Sequence, residues 1–181
     1  MAYTTIDDPT IYFNTKLYVG NGSTQSITGV GFQPDWVWIK NRTSAEASGV
    51  FDVVRGVTKM LATQNTDAET TTTNSLTAFD SDGFSVGANN RVNQNTNNIV
   101  AWNWKAGGSA SSNSDGSITS SVSANTTAGF SIVKYTGTGS NATVGHGLSS
   151  TPKMFIVKRL SNAENWTVYH NSLAKLSLIH I

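Results

Sequence analysis

The chain has 181 residues, and its 12 basic and 11 acidic side chains leave a formal net charge of +1. A balance this even, without runs of either sign, offers no patch that would release counterions from nucleic acid or hold an anionic membrane surface. There is no cysteine, which excludes disulfide frameworks, thiolate zinc sites and cysteine nucleophiles.

Ser, Thr, Asn and Gly are abundant, and charged residues make up only 13% of the chain. That mixture suits strands joined by tight turns rather than long exposed helices. In chain order, an aromatic-led strand is expected over Tyr12–Tyr18, entering a turn at Gly20-Asn21-Gly22-Ser23. A short strand around Ile27 follows, then a bend at Gly31-Phe32. Pro34 precedes the apolar run Trp36-Val37-Trp38-Ile39, where four consecutive apolar residues imply burial on both faces. Further strands are expected over Val50–Val54, Lys59–Ala62, Thr70–Thr73 and Ser75–Phe79, with Asp80-Ser81-Asp82-Gly83 turning a hairpin into Phe84–Val86. In the closing strand, Ile99–Lys105, alternation puts Val100, Trp102 and Trp104 on one face and Ala101, Asn103 and Lys105 on the other.

Residues 107–128 read as a Gly/Ser/Thr/Asn-rich linker, extended and partly ordered, whose Ile118–Val122 stretch has the alternation of one more edge strand. From Phe130 the chain then repeats itself. Phe130 answers Phe13, Tyr135 answers Tyr18, and Gly137-Thr138-Gly139-Ser140 answers the first Gly-x-Gly-Ser turn. Val144, Gly147-Leu148, Pro152 and Lys158 follow in the order of Ile27, Gly31-Phe32, Pro34 and Lys40. Met154-Phe155-Ile156-Val157 matches the first apolar run, and Trp166–His170 the strand around Phe51. The expected organisation is a complete β-sandwich repeat over 11–106, the linker, a truncated second repeat over 129–175, and a non-native tail over 176–181. Its fold class is all-β, an antiparallel sandwich in tandem, the second copy either leaning on the first or poorly ordered.

Candidate site residues divide between binding and structural readings. Trp104 with Lys105, and Arg55 with Lys59, are candidates to stack on and hold an anionic glycan; the alternatives are core tryptophans and a solvated strand edge. Asp80 and Asp82 open a calcium-loop pattern, but no glutamate closes it, so a turn accounts for them. His146 and His170 have no carboxylate near them in sequence. No nucleophile elbow, metalloprotease motif, phosphate loop or paired-carboxylate spacing marks an enzyme, and no cofactor is expected.

Three segments of the first copy, Phe51–Gly56 with Lys59, Leu76–Phe84 and Val100–Gly107, resemble repeat domains of tailed-phage virion proteins of the marine cyanophage type. Gly145–Leu148, Pro152–Met154 and Trp166–His170 resemble the same unit. The resemblance implies a jelly-roll or concanavalin-A-like sandwich in a tail fibre or similar appendage, oligomeric or bound to other virion proteins and exposed on the particle. A host glycan is the expected ligand, with nucleic acid and membrane excluded as partners. No secretory signal opens the chain, which agrees with assembly in the host cytoplasm. The alternative is a carbohydrate-binding module of a glycan-active enzyme.

Overall fold

A computed structural model describes residues 6–173 and, as backbone, Ile179 and His180. After a short 3-10 turn at Pro9–Ile11, the first half contains β1 (Phe13–Val19), β2 (Gln25–Thr28), β3 (Trp36–Asn41), β4 (Gly49–Asp52), β5 (Lys59–Met60), β6 (Thr70–Thr71), β7 (Leu76–Asp80), β8 (Gly83–Val86) and β9 (Asn98–Trp104). A single-turn helix, α1 (Asn90–Asn93), precedes β9, started by the Asn89 side chain, which accepts from the Arg91 N–H. The second half contains β10 (Ser111–Asn113), β11 (Ser120–Asn125), β12 (Phe130–Tyr135), β13 (Met154–Val157), β14 (Thr167–His170) and β15 (Ile179–His180).

Two antiparallel sheets face each other in the first half, ordered β1-β9-β3-β4 and β2-β8-β7. Alternation sends Val37, Ile39, Phe51, Ile99 and Ala101 inward from the larger sheet. They meet Ile27, Leu76, Phe84 and Val86 of the smaller one, with Met60 and Val92 closing the core. Full burial of side chains such as Phe51 and Phe84 stabilises the fold by about 1.5–3 kcal/mol each. The architecture is therefore the all-β antiparallel sandwich that the sequence implies. The hairpin also forms, with Asp80 opposite Gly83. Gly83 has a φ of +150°, and a Cβ there would stand 1.9 Å from the Ile27 carbonyl oxygen, so the position requires glycine.

The second half departs from expectation in three places. The segment read as a linker carries β10 and β11, which pair with β12 in one sheet. Its buried residues are Ser120, Val122 and Ser123, at 3%, 5% and 1% exposure, so small hydroxyl side chains take positions where an apolar pattern would have been visible. Their hydrogens are accounted for: Ser120 Oγ donates to Gly145 O and Ser123 Oγ to Gly108 O. The strand expected at Val144 is an isolated bridge to Ile118. Finally, Met154–Val157, expected to be buried on both faces, is exposed along its length.

The pairing of β13 with β14 nevertheless copies that of β3 with β4. Trp36↔Asp52, Val37↔Phe51, Trp38↔Val50 and Ile39↔Gly49 become Met154↔His170, Phe155↔Tyr169, Ile156↔Val168 and Val157↔Thr167. Of the expected tail, 176–178 and 181 lie outside the described residues, while Ile179 and His180 pair with β14. The second unit docks on the outer face of the first. Trp166 joins Val50 and Leu61 in a second apolar cluster, against which Trp36, Trp38 and Leu160 pack. Its indole N–H is shared between the carbonyls of Ala62 and Asn65, at 3.3 and 3.2 Å.

Candidate functional site

Strand alternation decides where the tryptophans go. Val37, Ile39, Ala101 and Asn103 point inward, so Trp36, Trp38, Trp102 and Trp104 share the outer face of the larger sheet. None enters the main core. Trp36 lies 4.9 Å from Trp104, ring centre to ring centre, and Trp38 lies 5.3 Å from Trp102. Phe13 adds a ring 4.8 Å from Trp104, and Phe130 stacks on Trp36 at 5.6 Å with planes 7° apart. Trp36 and Trp38 are thus roofed by the second unit, and Trp104, half-buried like them at the end of β9, also lies beneath Phe130, at 6.4 Å.

Beyond Trp104 the chain turns across the mouth of a hollow of about 380 Å³, lined by Gln33, Asp35, Lys105, Ala106, Gly107 and Gly108. Asp35 is the best-held of these. Its N–H donates to Trp104 O at 2.8 Å, and its carbonyl accepts from the Val53 N–H at 2.9 Å, tying the entrance of β3 to the ends of β9 and β4. Oδ2 accepts from the N–H groups of Ala106 and Gly108, at 2.7 and 3.1 Å. Oδ1 is buried with no hydrogen-bond donor among the described residues, and the residue as a whole is 2% exposed. A carboxylate oxygen removed from water and left without a donor carries a desolvation cost that a ligand N–H or O–H would relieve. Lys105 supplies a flexible cation at the rim, Gln33 an amide and Trp104 a nearby ring. Acceptor, donor, amide and aromatic together are suited to hydroxyl-rich ligands.

Arg55 and Lys59 do not line this hollow. Arg55 is not on a solvated edge: its guanidinium is buried, 2.5 Å from Asp52 Oδ2 and 3.2 Å from Glu69 Oε2, and it also donates to the carbonyls of Val50 and Lys59. Four of its five guanidinium N–H groups are committed to the protein, so the structure places it in an internal ion-pair network. Lys59 donates to Thr71 Oγ1 at 2.8 Å, bridging β5 to β6.

Asp80 and Asp82 serve the hairpin. Asp82 accepts from the N–H groups of Gly31 and Gly29 at 2.6 and 2.9 Å, and Asp80 accepts from Ser85 Oγ. Those two backbone donors, Gly31 first, hold the Asp82 carboxyl below its ordinary range, with a further contribution from Lys16. Among the described residues, no three His, Cys, Asp or Glu side chains converge as a metal site would require. His146 and His170 each use Nδ1 to accept a nearby backbone N–H, from Leu148 and Ser172.

Sequence reasoning named Trp104 and Lys105 but missed Asp35 and Gln33. The available signal was the repeat itself: Pro34 and Pro152 match, yet the following residues are Asp35 and Lys153.

A family described as "Domain of unknown function (DUF7483)" matches residues 8–180. No curated protein and no solved structure matches the chain.

Proposed function

The chain belongs to the DUF7483 family, and on that premise we propose a structural β-sandwich module of a phage virion appendage that engages host-surface glycans at the Asp35 hollow. The observation that carries the glycan part is the buried, unpartnered Asp35 Oδ1 of a hollow also lined by Lys105 and Gln33. Repetition of the β3–β4 pairing in β13–β14 supports the appendage part, since tandem units multiply weak contacts. Binding rather than catalysis is favoured by how the carboxylates are used: Asp52 and Asp80 accept bonds from their own turn and hairpin, and Asp82 accepts from the loop between β2 and β3.

Two experiments test the two parts separately. A glycan array probed with the purified chain is expected to show saturable binding of neutral or acidic saccharides, lost in Asp35→Asn. In that variant one amide oxygen still accepts from Ala106 and Gly108, while the position of Oδ1 becomes a donor. Binding unchanged by the substitution would remove the hollow from consideration. Mass spectrometry of purified particles is expected to recover peptides of this chain. Their repeated absence, with glycan binding intact, would favour a carbohydrate-binding module attached to a glycan-active enzyme.

A further inference from the structure

A second hollow, of about 250 Å³, is lined from the β5–β6 pair and from the start of α1. Its lining combines apolar, neutral polar and charged groups. Met60 and Ala62 are buried, at 3% and 6% exposure, and contribute carbon surface. Thr72 also lines it, and Thr72 Oγ1 is buried with no hydrogen-bond partner among the described residues. A hydroxyl in that condition carries a desolvation cost that a ligand group beside it would relieve. Asn89 is fixed by the chain around it: its N–H donates to Asn74 O at 3.0 Å, and its Oδ1 accepts from the Arg91 N–H at 3.0 Å.

Arg91 is the decisive member. It is half-buried, and its guanidinium has no carboxylate partner among the described residues. Its one bond there runs from Nη1 to Met60 Sδ at 3.9 Å, and a thioether is a weak acceptor. Arg55 shows the contrast, since it is held by both Asp52 and Glu69. Arg91 thus presents a planar fork of donors in a walled site, a shape matched by a carboxylate bound through two parallel hydrogen bonds. Asp67 sets the limit on charge. It lines the same hollow, so a doubly charged phosphate would face it uncompensated, whereas hydroxyl groups would donate to it. The volume sets the limit on size, falling below the roughly 300–1,000 Å³ that holds a drug-sized ligand.

We propose that this hollow binds a single acidic sugar residue of the hexuronate class, with its carboxylate on Arg91 and its hydroxyls towards Thr72, Asn89 and Asp67. The site shares no lining residue with the Asp35 hollow, and the inference does not rest on the reading of that hollow.

The test titrates the full chain with sodium glucuronate, followed by NMR of backbone amides and arginine side chains. Saturable shifts are expected at Ala62, Thr72, Asn89 and Arg91, including the Arg91 Nε–H, and they should persist in Asp35→Asn. Acetate, which has the carboxylate alone, and glucose, which has the hydroxyls alone, should each bind about tenfold more weakly or not at all. Arg91→Lys, which keeps the charge and loses the fork, should weaken glucuronate binding about tenfold. Thr72→Val, which keeps the shape and removes Oγ1, should weaken it while the rest of the spectrum stays in place. No shifts at these residues, shifts of equal size with acetate or glucose, or undiminished binding in either variant would overturn the proposal.

Discussion

The buried guanidinium of Arg55 gains its value from what would be left behind without it. Asp52 and Glu69 would face each other without a cation, and Arg55→Ala is therefore expected to cost about 3–5 kcal/mol. Urea unfolding followed by tryptophan fluorescence checks this, and a loss below about 1 kcal/mol would place Arg55 with ordinary surface ion pairs. Asp82 acts on a different axis. Its folded-state carboxyl titrates below the unfolded value, so the stability it contributes is full above the unfolded value and is lost as pH falls through the lower, folded one. Asp82→Asn should flatten the fall in urea midpoint between about pH 5 and pH 2; an unaltered slope would show that the Gly29 and Gly31 contacts do not stabilise the ionised form. Neither role was legible in the sequence. Spacing placed Asp82 in a turn but could not show which backbone N–H groups would reach it, and Arg55 was read as exposed because its partner Glu69 is supplied by a distant loop.

Among the elements, those with strong apolar alternation were legible and the rest were not. The strands at Leu76 and Asn98 follow the period-two pattern, the strand at Trp36 was marked by its unbroken apolar run, and the Asp80–Gly83 hairpin follows from turn chemistry. The strand Ser120–Asn125 was legible only in part, as alternation over Ile118–Val122 that suggested an edge strand, because its buried serines are satisfied by hydrogen bonding rather than by burying carbon. The run Met154–Val157 shows the opposite failure. Its composition implied two buried faces, but burial also requires neighbouring strands, and these depend on which partners the chain supplies. In the first unit the same pattern has β9 beside it. The tryptophans were legible as face-sharing pairs. That both pairs face outward, one beneath Phe130 and Trp166, depended on docking that no local pattern encodes.

At the scale of the whole molecule, the second unit is fastened to the first by Trp166, by the stacking of Phe130 on Trp36, and by backbone bonds from Glu69 N–H to Leu160 O and from Glu164 N–H to Thr66 O. Trp166 is 9% exposed, packs with Val50 and Leu61, and donates to two carbonyls of the first unit. Trp166→Ala is expected to lower the protection of β13 and β14 amides against hydrogen exchange while leaving β3, β8 and β9 protected. Uniform loss of protection would show instead that the two units unfold as one. The Asp35 hollow lies near the other point of contact, where Ala106 and Gly108 lead from β9 towards the sheet of β10, β11 and β12. The glycan reading rests on that hollow, and amide NMR titration with the saccharide that binds best on the array tests it most directly. Shifts are expected at Gln33, Asp35 and Lys105–Gly108 in the native chain, and none there in Asp35→Asn. Shifts confined to other surfaces, or persisting at these residues in the variant, would contradict it.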